Sequence, residues 1–149
     1  MMKETMKMVW NGLDFYDENG KLNKTACSNG DVHFYDENEK IIKIVHSNGT
    51  TRYFDKNRHI VKSEHLDGTT DFYDENGKLS KQVFKNGTVF LYENGKISKK
   101  VYRNGEIYLF GKNGKCTINI GTNGVIWLCN DHMKCEKAIF PDGTTIDKI

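Results

Sequence analysis

An Asn-Gly or Asp-Gly dipeptide returns every 18 or 19 residues along nearly the whole chain: Asn11-Gly12, Asn29-Gly30, Asn48-Gly49, Asp67-Gly68, Asn86-Gly87, Asn104-Gly105, Asn123-Gly124 and Asp142-Gly143. A fixed period of this length decides the architecture before any other feature does. Halfway between these sites runs a second turn series: Asp17-Glu18-Asn19-Gly20, Asp36-Glu37-Asn38-Glu39, Asp55-Lys56-Asn57-Arg58, Asp74-Glu75-Asn76-Gly77, Glu93-Asn94-Gly95 and Gly111-Lys112-Asn113-Gly114. It decays at Cys129-Asn130-Asp131-His132. One turn in every nine or ten residues leaves short strands and no room for a helix.

Turn chemistry then predicts register. Asn-Gly suits a two-residue hairpin turn with both central residues at positive φ, whereas Asp-Glu-Asn-Gly-Lys suits a three-residue loop with Gly in the left-handed position. Taken literally, these loops set Asp17 opposite Lys21, Tyr16 opposite Leu22 and Lys24 opposite Tyr35. Further along they pair Tyr35 with Ile41, Phe54 with Ile60, Tyr73 with Leu79, Tyr92 with Ile97 and Phe110 with Cys116. Aromatic and branched cross-strand pairs of this kind stabilise a ladder. One face is thus expected to carry aromatics, aliphatics and a lysine column (Lys24, Lys43, Lys62, Lys81, Lys99, Lys137). The other face mixes Thr and Ser with Phe34, Tyr53, Phe72, Leu91, Leu109 and Trp127.

Neither face reads as core and neither as plainly solvent, whereas a packed sheet is apolar on one side and polar on the other. Hydrophobic content of 37% is low for a thick interior. The reading is all-β: an extended single-layer antiparallel meander of about 15 short strands, in seven repeats of ~19 residues, forming one domain over residues 1–149. Lysine stems are expected to lie over rings. A closed barrel and a two-layer fold are the alternatives. The last third, with Ile118, Ile120, Val125, Ile126, Trp127 and Leu128, is the most apolar and the best placed to pack against something.

Phrases such as Phe-Lys-Asn-Gly-Thr-Val (84–89), Tyr-Arg-Asn-Gly-Glu-Ile (102–107) and Phe-Pro-Asp-Gly-Thr-Thr (140–145) resemble the T-complex-protein-type C-terminal domain, the G-box of centriolar scaffold proteins. The resemblance spans about Val9 to Ile149. It implies a free-standing antiparallel sheet, exposed on both faces, that binds a short proline-containing segment of a centriole-assembly partner. This chain departs from the family pattern in having one proline and longer Asp-Glu-Asn-Gly loops. The words Phe-Tyr-Asp-Glu-Asn-Gly-Lys-Leu, at 15–22 and again at 72–79, also look like the tyrosine-aspartate repeats of bacterial toxin shells. Membrane-occupation-type repeats of antitoxin-like proteins share the same words.

Charge and composition narrow the function. With 22 Lys and Arg against 20 Asp and Glu, no strong field attracts nucleic acid or an anionic membrane. No stretch approaches the ~20 apolar residues of a membrane span, and no secretory run opens the chain. Four cysteines, unevenly spaced, make no disulfide framework and fit a reducing, cytoplasmic compartment.

The best metal candidate is Cys129-x-x-His132-x-x-Cys135 with Cys116, but the expected register places Cys129 on the face opposite Cys116 and Cys135, so no metal or other cofactor is assigned. Histidines 33, 46, 59 and 65 fall at different depths of the repeat with no fixed carboxylate partner, and a flat meander offers no cleft for acid–base chemistry. No catalytic residue is assigned. What remains is a surface of rings flanked by polar groups, of the kind that docks proline-rich segments. Tyr73, Phe90, Tyr92, Tyr108 and Phe110, on one face, are the candidate partner-binding residues. The expected partner is a protein or a proline-containing peptide, and free sheet edges invite end-to-end self-association.

Overall fold

The turn signals do terminate strands where they stand. The computed structural model describes residues 4–130 and 132–147, and among these there is no helix. The chain divides after Gly77 into two compact units. The first holds β1 (Thr5–Val9), β2 (Gly12–Tyr16), β3 (Leu22–Cys27), β4 (Val32–Tyr35), β5 (Ile41–Val45), β6 (Thr51–Phe54), β7 (Ile60–Glu64) and β8 (Thr70–Tyr73). The second holds β9 (Leu79–Val83), β10 (Val89–Glu93), β11 (Lys96–Val101), β12 (Ile107–Phe110), β13 (Cys116–Ile120), β14 (Ile126–Cys129), β15 (Cys135–Ile139) and β16 (Thr145–Asp147).

The protein is all-β, and in each unit the strands form a single-layer antiparallel meander in sequence order. Sixteen strands stand against the roughly 15 expected. Among the described residues β1 pairs with β2 alone and β16 with β15 alone, so the barrel alternative does not form. Nor is there a two-layer core. Among the described residues the buried apolar side chains are Cys116, Val125 and Ala138, all in the apolar last third, and the largest fully buried side chain of any kind is the polar Ser63.

Apart from the two-residue turns at Trp10-Asn11 and Asn94-Gly95, the turns of both families prove to be one device. At Asn29-Gly30 the Cys27 N–H donates to the Asp31 carbonyl and the Gly30 N–H to the Cys27 carbonyl, which leaves a three-residue loop. Gly30 alone takes positive φ, at 88°, while Asn29 stays in ordinary space. Its Oδ1 instead accepts the Asp31 N–H at 3.0 Å, an Asx turn that needs no left-handed Asn. The expected two-residue turn with two positive φ values occurs once in that form, at Asn94 (51°) and Gly95 (78°). In the second series Asp17 Oδ1 accepts from both the Asn19 and the Lys21 N–H at 2.9 Å. Asp36 and Asp55 repeat this with Asn38, Lys40, Asn57 and His59.

The aromatic–aliphatic pairs stand as expected within the units: Tyr16 faces Leu22, Tyr35 faces Ile41, Phe54 faces Ile60, Tyr92 faces Ile97 and Phe110 faces Cys116. The lysine column does not. Immediately beyond each such pair lies a β-bulge, so Phe15 meets Lys24 and Asn23 is left without an opposite residue. Ile42, Val61, Ser98, Thr117 and Glu136 are the corresponding extra residues. One extra residue reverses the facing of everything beyond it. Across the next turn the three-residue loop at Asn29-Gly30, with Cys27 opposite Asp31, pairs Lys24 with Phe34 rather than Tyr35, and together with the bulge this puts the lysines on the face of Phe15, Phe34 and Tyr53. Bulging also accounts for Ile42 and Val61 being exposed, at 42% and 39%, although they sit inside strands.

Candidate functional site

In the first unit the bulge-shifted lysines settle on the rings. The Lys24 ammonium lies 4.1 Å from the centroid of Phe15, Lys43 4.4 Å from Phe34 and Lys62 4.1 Å from Tyr53. Lys62 also donates to Glu64 Oε1 at 2.7 Å, while Glu64 Oε2 accepts the Tyr53 hydroxyl at 2.9 Å. These donors hold the Glu64 carboxyl below its usual value, Lys62 contributing most. Tyr73, the one candidate ring in this unit, ends β8 beside the concavity that also touches Arg52, Arg58 and Ile60.

The other four candidate rings share one face of the second unit. Phe90 and Tyr92 point the same way from β10, and Tyr108 and Phe110 from β12. Lys100 of β11 is the register partner of both Phe90 and Tyr108. Its ammonium sits 4.8 Å from the Phe90 centroid and 5.3 Å from that of Phe110. Two rings outside the expected set complete the row. Phe84 meets Phe90 edge-on at 4.8 Å, Phe90 meets Tyr102 at 6.5 Å and Tyr102 meets Tyr108 at 5.6 Å. Edge-to-face contacts at these separations hold rings in fixed orientation.

Phe84 and Tyr102 were legible in principle. They occupy one repeat position, just before the Lys-Asn-Gly and Arg-Asn-Gly turns, and each donates its backbone N–H across the turn base, to Thr88 and Glu106. His46 and His65 hold the same position, which corrects the expected difference in depth for that pair, while His33 within β4 and His59 just before β7 stand at other positions. The first two also have carboxylate partners: His46 Nδ1 is 3.1 Å from Asp31 and His65 Nε2 is 2.9 Å from Asp71. These pairs brace the margins of turns.

Beside the ring row a concavity of about 400 Å³ is lined by Lys100, Tyr102, Tyr108, Cys116, Cys129 and Met133, among others. Tyr108 donates its hydroxyl to Glu106 at 2.9 Å, and that bond, with burial and the Glu106 charge, holds the phenol protonated beyond its usual range. The sulfur positions correct a second register expectation. Cys129 does not face away from Cys135; the two are cross-strand partners on the side of Cys116. Even so, among the described residues no group of three His, Cys, Asp or Glu converges as a metal would need.

Neither a family model nor a curated protein matches the chain. Solved structures do. The TCP10c domain of Drosophila melanogaster Sas-4 superposes with a TM-score of 0.57 over 99% of this chain and 99% of that one, at 18% identity. The TCP10 domain of Danio rerio CPAP, solved in complex with a STIL peptide, gives 0.54 over 96% and 82% at 16% identity. The chain has the TCP10 fold. A further TCP10-type structure, the Drosophila Sas-4 domain with a proline-rich motif of Ana2, covers 98% of this chain and 90% of its own at a TM-score of 0.50 and 18% identity. What the TCP10 fold supplies here is a ladder thin enough that rings of alternate strands stay open to solvent.

Proposed function

We propose that this protein is a non-catalytic scaffold that binds an extended, proline-containing peptide of a protein partner along the ring row of its second unit. The carrying observation is the continuous row Phe84, Phe90, Tyr102 and Tyr108, with Lys100 laid over Phe90 and Phe110. Fixed rings present apolar area at little entropic cost. A peptide already extended loses little freedom on docking there. Phe90, Tyr92, Tyr108 and Phe110 are the proposed contacts. Tyr73, at the repeat position that Tyr92 and Phe110 share, is the corresponding proposed contact of the first unit.

Two TCP10-fold neighbours were solved with bound peptides, one of them a proline-rich motif, and this supports peptide binding over the toxin-shell and antitoxin readings. A cytoplasmic location is part of the proposal. It is supported by four free cysteines, and among the described residues no helix is long and apolar enough to cross a membrane. We also read residues 1–149 as one repeat domain, because a single 18- or 19-residue unit runs through both compact halves.

The test is fluorescence anisotropy with labelled peptides, the STIL peptide and the proline-rich Ana2 motif among them. The wild-type chain should bind at least one. A Phe90→Ala, Tyr108→Ala double variant should bind it at least ~10-fold more weakly, a loss typical of buried aromatic contacts, with its strand circular dichroism retained. Equal binding by the two proteins removes this face from consideration, and no binding by the wild type to any peptide removes the function.

A further inference from the structure

Cys129 closes β14 and Cys135 opens β15, and the two are register partners across that ladder. Their sulfurs lie 3.0 Å apart, so that one thiol can hand its hydrogen to the other sulfur. Residues paired across antiparallel strands have Cα atoms ~4.5–5.5 Å apart, within the ~4.4–6.8 Å that a disulfide spans. The strands therefore need not move for a bond to form. Both sulfurs' residues border the open concavity beside the ring row, where a small reagent can enter.

The remaining thiols are placed differently. Cys116 is buried and donates its hydrogen to the Ile118 carbonyl at 3.5 Å. Cys27 lies in the first unit, on β3, where its Cα partner is Gly12. We propose that Cys129 and Cys135 form a reversible dithiol–disulfide site, oxidised by small disulfides of the glutathione class.

Proton placement sets the order of events. Burial first, and the adjoining Cys135 sulfur second, push the Cys129 thiol up to about 12. Cys129 thus keeps its proton while Cys135 makes the first attack. The Cys135 sulfur displaces one glutathione thiolate from oxidised glutathione and becomes a mixed disulfide, and the Cys135 proton leaves with that first glutathione. The Cys129 sulfur then attacks the Cys135 sulfur, and its proton leaves with the second glutathione. Two protein thiols are oxidised to one disulfide while one glutathione disulfide is reduced to two thiols.

The experiment treats the full chain, folded and without denaturant, with oxidised glutathione, then alkylates and maps it by non-reducing mass spectrometry. A Cys129–Cys135 cross-link should form while Cys27 and Cys116 remain alkylated, and dithiothreitol should reverse it. In Cys129→Ser the reaction should stop at a lasting glutathione adduct on Cys135, and in Cys135→Ser position 129 should stay free. Four free thiols in the treated wild type, or adducts spread evenly over the four cysteines, would overturn the proposal. So would an unmodified Cys135 in the Cys129→Ser chain. Because the wild-type map alone can refute it, the proposal does not depend on either variant folding.

Discussion

Lys43 holds its ammonium 4.4 Å from the ring centroid of Phe34, the residue directly across the ladder from it. Lys24 with Phe15 and Lys62 with Tyr53 repeat the relation. In a sheet without a dry interior, such a lysine does the work of a core residue. Its stem covers apolar ring surface and its charge meets the negative ring face.

Replacing Lys43 by Met keeps the stem and removes the charge. Lys43→Met should lower stability by about 0.5–1 kcal/mol in urea unfolding, the range for exposed cation–π pairs. In a double-mutant cycle with Phe34→Leu, Lys43→Met should cost little in the Phe34→Leu background, so the cycle returns a coupling of about that same size. A coupling of zero in the wild-type context would show that the pair is mere proximity.

Ser63 is 1% exposed and its hydroxyl has no hydrogen-bond partner. Ser63→Ala removes an unsatisfied buried polar group without adding volume. It should raise the urea midpoint, by about 1 kcal/mol of stability. A loss would mean that the hydroxyl is satisfied in solution.

Backbone conformation alone predicts an opposed pair of effects. A Cβ at Gly105 would meet nothing within 4 Å, yet φ there is 91°, so Gly105→Ala should cost about 1 kcal/mol through the backbone. Arg58 stands at the equivalent left-handed position of another turn with φ of 69°. Arg58→Gly should relieve strain and gain about 0.5 kcal/mol after the added freedom of the unfolded chain. Thermal unfolding of the two variants should shift in opposite directions.

Acid should unfold this protein through its turns. The Asp31, Asp55, Asp67 and Asp142 carboxyls are held below the usual range, each chiefly by a backbone N–H donor: Ser47, His59, Thr69 and Thr144 respectively. Folded values lie below unfolded ones, so these contributions are complete above pH ~5 and disappear as pH falls through ~4 and below. Asp67→Asn keeps the acceptor, as Asn29 and Asn48 do in sister turns, and cannot titrate. Its melting temperature should fall less steeply below pH ~4 than the wild type's; parallel curves would refute the role of Asp67.

Turn positions and the aromatic–aliphatic partners were readable because Asn, Asp and Gly have specific turn chemistry and rings have obvious partners. Facing was not. The bulge residues Asn23, Ile42, Val61, Ser98, Thr117 and Glu136 share no side-chain property, so nothing in composition announces where the extra residue sits. That omission, with the third residue of the Asn-Gly loops, misplaced the lysine column, whereas Cys129 and Cys135 lie on the turn side of their bulge, at the positions of Phe110 and Cys116, so their pairing follows from the loop alone. The candidate rings escaped the error. Phe90 with Tyr92 and Tyr108 with Phe110 are two residues apart within single strands, where alternation holds whatever the partner strand does.

The turn at Asn94-Gly95 is one residue shorter than its sisters, yet Tyr92 still meets Ile97 as Tyr16 meets Leu22. Length is therefore negotiable at the loop tips and rigidly counted inside the strands. A residue deleted at a tip would leave every ring on its side, whereas the same deletion between Phe90 and Tyr92 would turn Phe90 away from Tyr92. Lineages of such a chain should accumulate their insertions and deletions at the loop tips.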